Sequence, residues 1–190
     1  MPEIITADFV LDRPTLDDVD EIFAIERDPR VWTHFPSGRV TRRADAAATL
    51  GRRIRRWERD GLEMWMVRER ASGPIVGFCG CSLRGGTEAE PTGPDSFWNL
   101  GYRFSPDVQG RGLATAVSLL AIDRAREVDP ELPVVAYLLE HNMASARVAE
   151  KVGLRLRHRA PDAGNPDPAA VRLVFADREL TPAQLAATLR

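Results

Sequence analysis

Phe97-Trp98-Asn99-Leu100-Gly101-Tyr102-Arg103-Phe104-Ser105-Pro106-Asp107-Val108-Gln109-Gly110-Arg111-Gly112-Leu113-Ala114 reads as a strand, a short loop and the first turn of a helix. The strand half mixes aromatic and apolar residues with polar ones and stops at Pro106. From Gly112 onward, Leu113, Ala116, Val117, Leu120, Ala121 and Arg124 follow helical spacing, with an apolar stripe and a polar back. Gly110 and Gly112 bracket the join. A glycine-bracketed loop leaves backbone N–H groups unpaired at the positive end of the helix dipole, which suits phosphate or pyrophosphate. A tight strand-to-helix connection is the plain alternative. The loop fits neither G-x-x-x-x-G-K-[ST] nor a chain-leading G-x-G-x-x-G, so a nucleoside-triphosphate P-loop is not expected.

The 190 residues suit a single domain with a sizeable core: residues 1–190 as one unit, a core of about 9–177 and a short C-terminal helix over 181–189. A formal net charge of −2 gives no global field toward nucleic acid or an anionic membrane. No apolar run approaches membrane-spanning length, and the N-terminus lacks a basic region followed by an apolar one. Cys79 and Cys81 stand two apart in a strand-like run and cannot join each other. His34, His141 and His158 are scattered, so no metal site is expected. The expectation is a cytoplasmic, metal-free protein.

In chain order, Phe9–Pro14 reads as a strand. Thr15 caps a helix whose buried face is Leu16, Val19, Ile22, Phe23 and Ile25. Residues 30–38 hold Trp32, His34 and Phe35 without a regular period, either a lid over a cleft or an ordered loop beside the core. A helix from Thr41 to about Gly61 follows; its arginines 52, 53, 55, 56 and 59 read as a solvated face or, alternatively, a patch for an acidic partner. Residues 62–69 and 75–84 form a hairpin, in which Gly77 and Gly80 mark bulges or close approach of a ligand. A Gly/Pro/Glu-rich stretch from Gly85 to Asp95 reads as a flexible loop. After the opening strand and helix, Leu132–Leu139 is a buried strand reached by a crossover, hence parallel to its predecessor. A helix from Asn142 to Lys151 is closed by Gly153. Strands over 154–159 and 171–176 and a helix begun by Thr181-Pro182 complete the chain.

The element order β-α-α-β-β-β-α-β-α-β-β resembles the GNAT superfamily of acetyl-CoA-dependent N-acetyltransferases. Gln109-Gly110-Arg111-Gly112-Leu113-Ala114 matches that family's Q-x-x-G-x-[GA] pyrophosphate loop. Asn142-x-x-Ser145 followed by Glu150-Lys151-x-Gly153-Leu154 resembles the segment typical of the ribosomal-protein N-terminal acetyltransferase branch, as does Leu100-Gly101-Tyr102. The resemblance spans Phe9 to about Asp177. It implies an α+β fold: a mixed, mostly antiparallel sheet of about seven strands, flanked by four or more helices. The fourth and fifth strands, residues 98–104 and 134–139, would splay into a V.

The same resemblance implies acetyl-CoA as donor and coenzyme A as product, with a primary amine as acceptor. Pantetheine would pair with the strand edge near Phe104, and the pyrophosphate would sit on the loop Gln109, Gly110, Arg111, Gly112, Leu113, Ala114 and Thr115. Asn142 and Ser145 would add contacts. An amine would attack the thioester directly, which needs a neutral amine, a polarised carbonyl and a proton for the leaving thiolate. Ser145 is the implied proton donor; a helix-start hydroxyl is its plain reading. The branch often carries glutamate as base where this chain has Asn99, which cannot accept a proton. His141 is then the leading candidate, with Glu140, Glu63 and Tyr102 behind it; Cys79 as a nucleophile ranks below these. Trp32, His34, Phe35, Trp65 and Trp98 are expected to line the acceptor cleft. Branch resemblance favours a protein α-amino group; a small amine such as an aminoglycoside, polyamine or amino acid is the alternative. A fold that binds acyl-CoA without efficient turnover is the rival of another class. Dimers are common in such folds, so a homodimer is within the expectation.

Overall fold

Thr15 and Asp18 hold the start of the first helical layer: the Asp18 carboxylate accepts the Thr15 N–H at 2.7 Å and its hydroxyl at 3.1 Å. In the computed structural model, which describes residues 3–87 and 90–189, this turn leads into α1 (Val19–Glu26). The second helix, α2 (Arg43–Asp60), ends at Gly61, whose φ of 72° is the left-handed cap geometry that glycine adopts without penalty. The remaining helices are α3 (Leu113–Val128), α4 (Met143–Lys151) and α5 (Pro182–Thr188). The strands are β1 (Ile4–Ile5), β2 (Val10–Asp12), β3 (Met64–Arg68), β4 (Ile75–Arg84), β5 (Phe97–Phe104), β6 (Val134–Leu139), β7 (Arg155–Pro161) and β8 (Val171–Ala176).

These form one eight-stranded sheet in the order β1-β2-β3-β4-β5-β6-β8-β7. The β5–β6 pair is parallel, and its register is short: Trp98 opposite Val134 and Asn99 opposite Val135. The β1–β2, β2–β3, β3–β4, β6–β8 and β7–β8 pairs are antiparallel. The mixed sheet, the splay and the element order agree with the expectation. The eighth strand is β1, two residues long, too short for any periodicity to show it in the sequence.

The chain divides into two compact units, Met1–Gly80 with Gly101–Val117, and Cys81–Leu100 with Ser118–Arg190. The first is built on α1, α2 and the near face of β3 and β4. Ile22, Leu50, Met64, Met66 and Phe78 meet there, with Met66 directly opposite Phe78. Burying such a side chain contributes about 1.5–3 kcal/mol. Gly77 and Gly80 mark close approach of the chain to itself rather than to a ligand. A Cβ on Gly77 would lie 2.9 Å from Phe104 Cα, and one on Gly80 would lie 2.7 Å from Met64 Cα.

The second unit packs Phe97, Val135, Val174 and Ala176 under Leu180, Ala187 and Leu189. Thr181 and Gln184 cap α5 reciprocally, at 3.2 and 3.0 Å, and Pro182 takes the first helical position. Gly153 closes α4 with a φ of 87°. The predicted loop Gly85–Asp95 is held rather than loose: Asp95 accepts the Gly86 N–H at 2.9 Å, and Thr87 and Glu90 exchange bonds at 2.8 and 3.0 Å. Glu88 and Ala89, also in that loop, lie outside the described residues.

Candidate active site

The loop after β5 is tied back to the strand it leaves. Ser105 Oγ accepts the Asp107 N–H at 3.4 Å, and Pro106–Val108 makes one 3-10 turn. Gln109 Nε2 then donates to the Phe104 carbonyl at 3.0 Å, which fixes where the loop turns. Gly110 and Gly112 follow with φ of 79° and 82°, in the left-handed region that side chains with a Cβ rarely adopt. A Cβ on either would meet nothing within 4 Å, so glycine is demanded by conformation and the loop face is open. The first hydrogen bond of α3 runs from the Ala116 N–H to the Gly112 carbonyl at 3.0 Å. The N–H groups of Leu113, Ala114 and Thr115 therefore precede the helical ladder, at the positive end of a helix of 16 residues. An open loop face, amides that precede the helical ladder and a helix N-terminus fit a pyrophosphate. Arg111 pairs with Glu69 at 2.5 Å, both partly exposed, a weak link that an anion can compete with.

Alternation along β5 places the neighbouring hydrogen-bonding groups. The Trp98 N–H donates to the Pro133 carbonyl at 2.9 Å, whereas the Ser105 N–H donates to Val76 on β4 at 2.8 Å. Even-numbered residues thus turn their N–H groups away from β4. The N–H of Phe104 belongs to that set.

In the second unit, Asn142 caps α4. Its Oδ1 accepts the Ser145 N–H at 3.2 Å, which leaves its amide NH2 for another partner. Ser145 is half-buried in the first turn of the helix, and His141 is exposed just before it. Asn99 is half-buried within the β5–β6 register. Glu140 lies on the same strand end, bound by Arg159 at 2.6 and 2.9 Å. The hydrogen bond from Arg159 holds its carboxyl below the usual range, which makes it a weaker base. Glu63 is buried beside Arg56 at 3.6 Å, and Cys79 is fully buried. Tyr102 is half-buried on β5.

The aromatic residues separate into two groups. Trp65 and Trp98 are core side chains, 1 % and 2 % exposed, so neither offers surface to an acceptor. The Trp65 indole N–H is satisfied by Glu3 at 2.6 Å and that of Trp98 by the Asp129 carbonyl at 3.3 Å. A strand tryptophan in a mixed pattern gives no sign of which it will be. Trp32, His34 and Phe35 share the connection between α1 and α2, a pair of 3-10 turns at Pro29–Trp32 and Pro36–Gly38. Trp32 donates its indole N–H to the Glu26 carbonyl at 2.6 Å. A Cβ on Gly38 would lie 2.6 Å from Phe35 Cε1, closer still to Cδ1, and 2.7 Å from Trp32, so this segment closes tightly on itself.

Sequence reasoning missed what lies beneath Trp32. The Arg103 guanidinium stacks on the Trp32 ring at 3.5 Å and stands 5.9 Å from that of Phe78. Arg53 stacks on Phe78 at 4.0 Å and approaches the buried Glu26 carboxylate at 3.8 Å. Burial pulls Arg103 down to about 10, with Glu26 opposing the shift and Arg53 reinforcing it. It remains a cation at neutral pH. Farther along the same connection, a groove of about 680 Å3 is lined by Phe23, Arg27, Pro29, Arg39 and Val40. Among the described residues no three His, Cys, Asp or Glu side chains gather as a metal site, and no helix is long and apolar enough to cross a membrane.

Comparison with known proteins agrees with this geometry. The family model for the acetyltransferase (GNAT) domain matches residues 8–155. A solved protein described as a GnaT-family acetyltransferase from Bordetella pertussis shares 21% identity and a TM-score of 0.73, covering 92% of this chain and 98% of that one. The ribosomal-protein-S5-alanine acetyltransferase from Vibrio fischeri gives 14%, 0.69, 96% and 100% in the same terms. A ribosomal L7/L12 α-N-protein acetyltransferase, RimL, solved with coenzyme A, gives 16%, 0.69, 95% and 98%. The chain belongs to the GNAT acetyltransferase family and is an acyltransferase that acts on amines.

Proposed function

We propose that the protein is an acetyl-CoA-dependent N-acetyltransferase of the ribosomal-protein N-terminal branch, which acetylates a protein α-amino group by direct attack in a ternary complex. The observation that carries the donor half is the loop: two left-handed glycines, an open face and the amides of residues 113–115 ahead of the α3 ladder. RimL, solved with coenzyme A, and the S5-alanine enzyme, both of which act on ribosomal proteins, share this fold at low identity. In this reading Gln109 sets the loop and residues 110–115 hold the pyrophosphate. The Phe104 N–H lies on the edge that polarises the thioester carbonyl. Asn142 offers its amide to the pantetheine arm. Ser145 supplies the thiolate proton, and His141, with Tyr102 behind it, accepts the proton of the amine. Trp32, His34 and Phe35 face the acceptor. The setting is the cytoplasm, as a monomer or homodimer.

Coenzyme A release, followed with a thiol reagent, tests this against peptides with free and blocked N-termini, polyamines and aminoglycosides. Free-N-terminal peptides should turn over and blocked ones should not. Turnover confined to the small amines would replace the peptide reading with the small-amine one. Asn99→Glu should raise the rate by restoring a carboxylate base; an unchanged rate would mean that the base lies elsewhere.

A further inference from the structure

Arg103 is placed by the strand, not by chance of rotamer. Gly101 faces Met64, since a Cβ there would lie 2.7 Å from that side chain, and residue 103 lies on the same face of β5. That face is the packed side of the first unit, where an arginine is out of place unless something answers its charge. Nothing does so fully. Among the described residues, its contacts are the rings of Trp32 and Phe78 and the field of Glu26 and Arg53. No carboxylate or carbonyl reaches its guanidinium. Glu26 is the counter-charge that acts on it, and Glu26 also lies 3.8 Å from Arg53; Arg103 itself is half-buried, with its guanidinium held against the two rings.

We infer that Arg103 is the recognition residue for a carboxylate carried by the amine acceptor, with Trp32 fixing the plane of its guanidinium. The inference rests on the acetyltransferase reading of the same site and adds the acceptor's chemistry to it. A guanidinium offers paired N–H donors that match a carboxylate in two parallel bonds. Stacking on an indole leaves that planar edge free while holding its orientation. The indole is itself anchored by the Glu26 carbonyl, so the fork is set before an acceptor arrives. A carboxylate there would answer the charge of Arg103. It could be the α-carboxylate of an amino acid or an acidic side chain near a peptide N-terminus.

The test uses the full chain and four probes: alanine against alaninamide, and Ala-Glu-Ala-Ala amide against Ala-Gln-Ala-Ala amide. Coenzyme A release gives kcat/KM for each, and calorimetry on coenzyme A-saturated protein gives binding of each probe whether or not it turns over. One acidic probe should exceed its neutral partner by about tenfold to a hundredfold, the worth of charge-assisted hydrogen bonds, mainly through KM. The first pair responding assigns a free amino acid; the second assigns an acidic peptide. In Arg103→Met, which keeps an apolar stem on Trp32, the ratio should fall to about one, and Arg103→Lys should recover part of it. A purely structural arginine would change stability and leave the ratio alone. Equal binding within both pairs, or a ratio that survives Arg103→Met, overturns the inference while coenzyme A binding and thiol release still stand. Failure of coenzyme A to bind at all strikes the acetyltransferase reading instead.

Discussion

The loop after β5 and the α1–α2 connection solve opposite problems. The loop is made of backbone: two left-handed glycines aim amides outward, and their Cβ positions face open space. The connection is made of side chains: Trp32, Phe35, Arg103 and Glu26 fit against one another, and Gly38 has no room to grow. A backbone site depends on φ and tolerates much in its neighbours. A side-chain site depends on volume and charge and tolerates any backbone that delivers them. In the proposed reading, a donor site built the first way can be shared by relatives of low identity, whereas an acceptor site built the second way can differ in each.

Changing the backbone should give the largest effect. Gly112→Val forces a β-branched residue to a φ of 82°, at a cost of about 1–3 kcal/mol of strain or a rearranged loop. Acetyl-CoA affinity should fall by about a hundredfold or more, measured by calorimetry. Gly153→Val is the control, because that glycine has a φ of 87°, with nothing within 4 Å of a Cβ, at the end of α4. It should lose comparable stability and keep its acetyl-CoA affinity. If both variants lost affinity alike, the loop would not be the special element and the contrast would collapse.

Changing the volume at the other region should matter less. Gly38 has ordinary φ, so Gly38→Ala is a steric experiment alone. Its Cβ would lie 2.6 Å from Phe35 Cε1, closer still to Cδ1, and 2.7 Å from Trp32. Trp32 is held by its bond to Glu26 and by Arg103, so the half-buried Phe35 must give way. Overpacking of this kind costs about 1–3 kcal/mol, read as a fall in Tm. The acceptor KM should rise while the acetyl-CoA KM stays within twofold. A shift of the acetyl-CoA KM instead would mean that the connection serves the donor.

The two regions were also unequally legible. Gln109, with an ordinary φ of −68°, was legible only through the family resemblance. Gly110 and Gly112 could be read because a backbone requirement restricts residue type: only glycine sits comfortably at a φ of 79° or 82°. The helix ends at Gly61 and Gly153, and the Thr181 cap, were readable for the same reason. Arg103 was not, because its meaning comes from Trp32, Phe78, Arg53 and Glu26, each distant in sequence and each ordinary alone. Trp65 and Trp98 misled for the same cause: an indole on a strand gives no sign of whether Glu3 or Asp129 will bury it. The glycines of β4 lay between these cases. Close approach was readable, but not that the approaching group would be the chain itself.

Asn142 is the residue on which the distinction can be sharpened, since it has both a backbone role and a side-chain role. Its Oδ1 caps α4 through the Ser145 N–H, and Asn142→Ala should cost about 1 kcal/mol for that loss alone. Asn142→Asp keeps an oxygen for the cap and adds a negative charge at a helix N-terminus, which is favourable, but it removes the amide donor. Stability should therefore return in the Asp variant. If the amide also reaches the pantetheine arm, the acetyl-CoA KM should stay raised in both variants, by about tenfold, the scale of one hydrogen bond made to a bound ligand. If Asn142→Asp restores Tm and KM together, the residue is a cap whose identity backbone rules explain completely, and the amide belongs to no ligand.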